Sequence, residues 1–191
     1  LANIQSYMGK SANASLYYPL LAQVGTSDAI AEIRKGYEGN HKQAAYEALL
    51  TIDNTEMITV LFEMAQTDKS NAQAILNRYT DLVSKSEQKP IEKYQSYSQA
   101  LALASDVKLQ NRLIGLLGGT HTQQALLVVA PYMDNQPTAE SAAGAVRTIV
   151  SKNIETLGGG QVRAMLNKAI TCFEAVGDAD AGYAIDDIKG M

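Results

Sequence analysis

Cysteine is nearly absent from these 191 residues, and Cys172 is the sole one. A single thiol excludes a framework of internal disulfides. Tryptophan is missing and phenylalanine occurs only twice, so aromatic surface rests on 10 tyrosines. Four prolines and no long Ser/Gly-rich run leave little room for a flexible linker. Basic residues are sparse: 16 Lys and Arg stand against 20 Asp and Glu, for a net charge of −4. The longest basic run is the pair Arg34-Lys35. A duplex-binding surface needs a Lys/Arg stripe, so no nucleic acid is expected as partner. No apolar run approaches the ~18–20 residues of a membrane span.

What remains is an apolar fraction of 46%, typical of a globular chain. At this length roughly 70% of the unfolded surface can be buried, so a core needs neither disulfide nor metal. One domain over 1–191, or one short repeat array, is expected. The chain opens on Leu1, without a basic-then-apolar signal segment, and stops at Gly190-Met191 just after an amphipathic stretch. Both ends suggest a fragment of a longer, processed chain.

Apolar residues recur at helical spacing almost throughout. The stripes are Tyr17, Leu20, Leu21, Val24; Ala45, Ala48, Leu49, Ile52; Met57, Val60, Leu61, Met64, Ala65; and Ala72, Ile75, Leu76, Tyr79. Leu109, Leu113, Leu116 and Leu117 form another, and Val162, Met165, Leu166, Ala169, Ile170 and Phe173 the cleanest. No segment alternates apolar and polar residues, which argues against a sheet.

The turns carry helix-start chemistry. Ser70 to Gln73 and Thr120 to Gln123 have capping-box spacing, and Asp53 to Glu56 is a looser acid-led version. Thr138 is placed to cap the helix after Pro137. Pro90 suits a first helical position. Pro131 falls late in the run from Gln123 to Met133, where it should kink the helix.

Two segments repeat the same layout. In "GTSDAIAEIRKGYEGNHKQAAYEALLTI", from Gly25, the residues Ala29, Ile30, Ile33 and Tyr37 match Ala125, Leu126, Val129 and Met133 of "GTHTQQALLVVAPYMDNQPTAESAAGAVRTIV", from Gly119. Beyond the turn, Ala45, Ala48, Leu49 and Ile52 match Ala142, Ala145, Val146 and Ile149. Thr55 to Val83 keeps the helix–turn–helix plan with poorer matches. Small alanines on the second helix allow close packing, and the aliphatics fill seams between stacked pairs. The expectation is all-α: a right-handed α-α superhelix, a HEAT/armadillo-like solenoid of about ten to eleven helices.

The succession "AAYEALLTID", "LQNRLIGLLGGTHTQQALLVVAPYMDN", "AESAAGAVRTI", "VRAMLNKAI", "GYAIDDIKGM" resembles the helical region found upstream of the keto-disaccharide hydrolase domain in exported bacterial proteins. That domain is a concanavalin-like jelly roll. The resemblance covers most of Tyr46 to Met191. It implies a location outside the cytoplasm of a Gram-negative bacterium, exported, periplasmic or at the cell surface, with a glycan-acting hydrolase in the same chain. Nothing here reads as the jelly roll's strands or acidic site, so the resemblance carries over no catalytic residue.

No motif in the chain spells a chemical site. Cys172 with His41 or His121 could form a thiolate–imidazole pair, but Cys172 sits on an apolar face beside Ile170 and Phe173, and both histidines fall in turns. "GDADAGYAIDD" fails the calcium-loop pattern: Gly182, Tyr183 and Lys189 occupy its fifth, sixth and twelfth positions counted from Asp178. Asp178 and Asp180 are better explained as a cap and a first-turn acid. "LGGGQVRAM" puts three glycines before a helix but lacks the Gly-Lys-Ser/Thr of a phosphate loop. Asn13-Ala14-Ser15 spells a glycosylation sequon without a context for it. Tyr17, Tyr37, Tyr46, Tyr94 and Tyr97 are expected to pack.

No catalytic, cofactor or metal residue is therefore assigned. The expected function is a non-catalytic repeat scaffold contacting another domain of its chain or a partner protein, with carbohydrate bound only through the adjoining domain. Its rivals are a helical glycan-active enzyme drawing a carboxylate pair from Asp53, Glu56, Asp134 and Glu140, and a sugar-binding module using tyrosine platforms.

Overall fold

Helical propensity and amphipathic spacing give an all-helical chain, in a computed structural model that describes residues 2–8 and 13–191. Leu1 lies outside the described residues. Among those described there are twelve α-helices, two short 3-10 helices and no strand. The first two α-helices are short, α1 (Ala2–Met8) and α2 (Tyr18–Val24). The next six are α3 (Ser27–Glu38), α4 (Lys42–Thr51), α5 (Met57–Thr67), α6 (Ala72–Lys85), α7 (Pro90–Leu103) and α8 (Val107–Gly119). Then come α9 (Gln123–Val129), α10 (Ala139–Lys152), α11 (Gly160–Val176) and α12 (Ala179–Lys189). The twelve α-helices exceed the expected ten to eleven; α1, only seven residues long, is too brief to show two turns of apolar periodicity.

Most consecutive helices pack on one another, and α8 also packs on α10. One core runs from Tyr18 to Ile188. Seven of the eight matched positions behave alike: Ala29, Ile30, Ile33, Ala45, Ala48, Leu49 and Ile52 are buried, as are Ala125, Leu126, Val129, Ala142, Ala145, Val146 and Ile149; the exception is Tyr37, half-buried where its counterpart Met133 is buried. Gly118 explains how α8 approaches α10 so closely. A Cβ there would lie 2.9 Å from the Ala145 Cα and 3.0 Å from its Cβ, so only glycine fits. The first stripe is out of frame by one residue. Tyr18, not Tyr17, is buried, because its ring lies over Gly36, where a Cβ would meet the phenol at 2.2 Å.

Helix starts divide into local and long-range solutions. Asp178 accepts from the Ala181 amide at 2.8 Å, and Asp106 from that of Leu109 at 2.9 Å, as N-caps do. Pro90 opens α7, with Glu92 accepting from the Lys89 amide. Pro131 ends α9 at Val129 and turns the chain into a 3-10 helix over Ala130–Asp134. The two expected capping boxes do not form. Ser70 donates to Asp68, and Thr120 donates to the Leu117 carbonyl at the end of α8. Thr138, fully buried, donates backwards to the Tyr132 and Asn135 carbonyls instead of capping α10.

The glutamines of those boxes reach the neighbouring turn instead. Gln73 accepts from the amides of Ser105 and Asp106, both at 3.1 Å. Gln123 donates to the Thr156 hydroxyl at 2.8 Å. Asn54 donates to the Gly25 carbonyl and Asn153 to that of His121. These bonds span 32, 33, 33, 29 and 32 residues respectively. At this near-constant separation the bonds tie three pairs of turns: Gly25 with Asn54, Gln73 with Ser105, and His121–Gln123 with Asn153–Thr156.

Candidate functional site

The most concentrated polar cluster lies where α3 and α4 meet the turn after α5. Tyr37 comes from the last turn of α3, Lys42 opens α4, and Asp68, Ser70 and Asn71 form the turn. Asp68 is an aspartate with only 7% of its side chain exposed. Its Oδ2 accepts from the Tyr37 phenol at 2.5 Å, from Asn71 Nδ2 at 3.0 Å and from Lys42 Nζ at 3.0 Å. Its Oδ1 accepts from the Ser70 hydroxyl at 2.6 Å and the Asn71 amide at 3.3 Å. The Lys42 ammonium also sits 5.2 Å from the centre of the Tyr37 ring, a cation–π contact.

The electrostatics follow from that crowding. Donation by Ser70, then by Tyr37, Asn71 and Lys42, holds the Asp68 carboxyl far below the usual carboxylate range. Burial, reinforced by the adjacent carboxylate, pushes the Tyr37 phenol well above its usual value. Five donors occupy the two oxygens, so no lone pair is left to take a proton from a substrate. The phenol keeps its proton and offers no nucleophile. The cluster is a joint between two helix pairs. Neither Asp68 nor Tyr37 was assigned from sequence. The available signal was the 31-residue spacing between them, close to that of the other inter-turn bonds.

The residues weighed from sequence fall elsewhere. His41 and His121 are both exposed and belong to different turns. His41 stacks obliquely on Tyr18, with centroids 5.8 Å apart. Cys172 is half-buried rather than fully buried, with its thiol donating to the Met133 carbonyl at 3.7 Å. Burial raises its pKa, Lys168 lowers it and Asp134 raises it again. Asp53 does not cap α5. It pairs with Lys85 at 2.9 Å and Arg78 at 3.2 Å, and Lys85 above all holds its carboxyl below the usual range. Glu56 accepts from the Ser27 hydroxyl at 2.8 Å.

Asp134 and Glu140 do come together. Both line an open depression of about 460 Å³ with Lys168 and Cys172. Asp134 is 73% exposed and paired with Lys168, so it lies in solvent rather than in an enclosed polar cleft. The three glycines Gly158, Gly159 and Gly160 lead into α11, and Gly159 adopts φ +90°, so that turn needs at least one glycine. Asn13 precedes the 3-10 helix Ala14–Tyr17. Of the tyrosines, Tyr7 and Tyr183 are the exposed ones, at 64% and 75%; Tyr17, Tyr37, Tyr46 and Tyr94 are half-buried, and Tyr97 is buried.

Among the described residues no three His, Cys, Asp or Glu side chains are placed to hold a metal ion, and no helix is long and apolar enough to cross a membrane. Protein-family models, curated proteins and solved structures offer no match to this chain.

Proposed function

We propose that this chain is a non-catalytic helical-repeat scaffold, a HEAT-like right-handed solenoid that presents its stacked helices to another domain or protein. The observation that carries this is the recurrence of inter-turn bonds at nearly one repeat length, from Asn54 to Gly25, Gln73 to Ser105, Gln123 to Thr156 and Asn153 to His121. Stacked pairs of equal size place equivalent turns side by side, and polar side chains then bridge them at one separation. Two ion pairs fall at a similar interval, Arg34 with Glu63 and Arg112 with Asp81. The scaffold role is further supported by the Asp68 cluster, whose capacity is consumed internally.

On the resemblance to the region preceding keto-disaccharide hydrolase domains, the partner would be in the same chain and the protein outside the cytoplasm. The scaffold would then position a glycan-acting domain, which alone would contact carbohydrate.

Two measurements test this. The intact mass of the protein from its source cells should exceed 20.5 kDa by the size of a strand-rich domain; a mass equal to it overturns the placement in one chain. The 191-residue chain should not hydrolyse chromogenic glycosides or keto-disaccharides. Turnover by it at an enzyme-like rate overturns the scaffold.

A further inference from the structure

A cleft of about 420 Å³ lies between the α6–α7 connection and the C-terminal half of α8. Gly115, Leu116 and Gly119 line it on α8, with Tyr97 and Pro90 on α7. Ser84, Gln88, Lys93 and Thr120 add its polar groups. Its volume falls within the range of small-molecule sites, which combine apolar walls with few convergent polar groups.

Two features bear on what this cleft could hold. The first is the pair of glycines. Gly118, beside them, has a structural reason in Ala145, but a Cβ on Gly115 or Gly119 would meet nothing within 4 Å. Glycine inside a helix weakens it relative to alanine, and no contact within the chain explains Gly115. The space above it is simply left open.

The second is the state of the donors. Ser84 Oγ gives its proton to the Thr80 carbonyl at 2.8 Å, so the Tyr97 phenol 3.0 Å away donates to Ser84. Thr120 gives its own proton to Leu117. The hydroxyls are thus committed. Lys93 spends one ammonium proton on the Ser84 carbonyl at 3.0 Å and retains two. Gln88 accepts from Ser96 through Oε1, which leaves its NH₂ group. No acid lines the cleft, and Lys93 has no carboxylate partner among the described residues. The protons still free to be given are those of Lys93 and Gln88, with one unneutralised positive charge, while the hydroxyl oxygens keep lone pairs that can accept.

We propose that this cleft binds a small, flat organic carboxylate, with its body against Gly115, Leu116 and Gly119 and its charge at Lys93 and Gln88. The glycine floor admits a planar body, and an ammonium and an amide NH₂ lining one cleft can serve the two oxygens of a carboxylate. This site is independent of the scaffold role and stands or falls without it.

Titration of the 191-residue chain with benzoate, followed by amide NMR, tests the proposal. Saturable shifts are expected at Gly115, Gly119 and Lys93, with a Kd on the order of 1 mM. Benzamide, which lacks the charge, should bind at least roughly tenfold more weakly, as should Lys93→Met. Gly115→Leu should abolish binding by filling the floor. Gly115→Ala, the gentler variant, should weaken it while the remaining amide spectrum stays in place. Gly144→Ala, at another open helical glycine away from the cleft, should leave it intact. Shifts that never saturate, equal binding of benzamide and benzoate, or undiminished binding by folded Gly115→Leu would each overturn the site.

Discussion

The phenol of Tyr37 donates to Asp68 across 2.5 Å, joining the end of α3 to the turn after α5 over 31 residues of sequence. Removing that donor while keeping the ring tests how far the joint holds the helix pairs together. Tyr37→Phe is expected to lower unfolding stability by ~1.5–3 kcal/mol, the range for hydrogen bonds to charged groups. Urea unfolding should show a lower midpoint with an unchanged slope. Asp68→Ala should cost more, since it strands donors from Tyr37, Ser70, Asn71 and Lys42 at once. An unshifted midpoint for both variants would mean that the joint is ornamental.

The same aspartate predicts acid sensitivity. Its folded pKa is depressed, by Ser70 first and then Tyr37, Asn71 and Lys42. A depressed carboxyl contributes stability at pH above its unfolded value near 4, and the contribution is lost as pH falls below that value toward the folded one. Wild-type stability should therefore decline below about pH 4. Asp68→Asn should start less stable at neutral pH and show a flatter acid limb. Parallel acid limbs, from urea midpoints at several pH values, would contradict the assignment.

Neighbouring glycines on α8 should respond in opposite directions. Gly118→Ala forces a methyl to within 2.9 Å of Ala145 backbone and should destabilise by ~1–3 kcal/mol, as overpacking does. Gly115→Ala meets open space and should stabilise the helix by ~0.5–1 kcal/mol. Thermal unfolding of the two variants side by side reads this directly.

Cys172 should be a sluggish nucleophile. It is half-buried, and burial raises its thiol pKa, with Lys168 offsetting part of the effect. Less thiolate forms near neutral pH, and the thiolate is the reactive species. Ellman's reagent should label the folded chain roughly tenfold more slowly than the urea-unfolded chain. Equal rates would place the thiol in free solvent.

Asp53 and Arg78 separate a solvated charge from a structural one. Asp53 is exposed beside Lys85 and Arg78, so Asp53→Asn should change stability little. Arg78 is only 17% exposed and donates to the Ile52 carbonyl at 2.7 Å. Arg78→Met should cost ~1–3 kcal/mol, because that carbonyl loses a charged donor. Equal losses in chemical unfolding would show that the ion pair, rather than the carbonyl contact, holds Arg78.

Much of the fold was legible in residue spacing because helices are local. Amphipathic stripes, the Asp178 cap and Pro90 at the start of α7 depend on dihedral preferences and on groups three or four residues apart. The matched alanines and aliphatics of α4 and α10 were readable for the same reason, since each occupies one face of its own helix. The polar joint was not legible in this way. Ser70 and Thr120 had capping partners at the right spacing, yet their hydroxyls went to Asp68 and the Leu117 carbonyl. A side chain chooses among all acceptors within reach, and only the packed helices bring the distant ones near.

The division is therefore between rotation about one helix axis and register between helices. The order of amino acids dictated that the chain is helical, which face of most helices is apolar, and where several of them begin. The assembled structure decided that Tyr18 rather than Tyr17 enters the core, since its ring needs Gly36 across the interface. It decided equally that Gln73 and Gln123 tie adjacent turns, and that Asp68 gathers five donors. Those outcomes depend on how one helix is placed against the next. That placement follows from the shape of the whole interface rather than from any single segment.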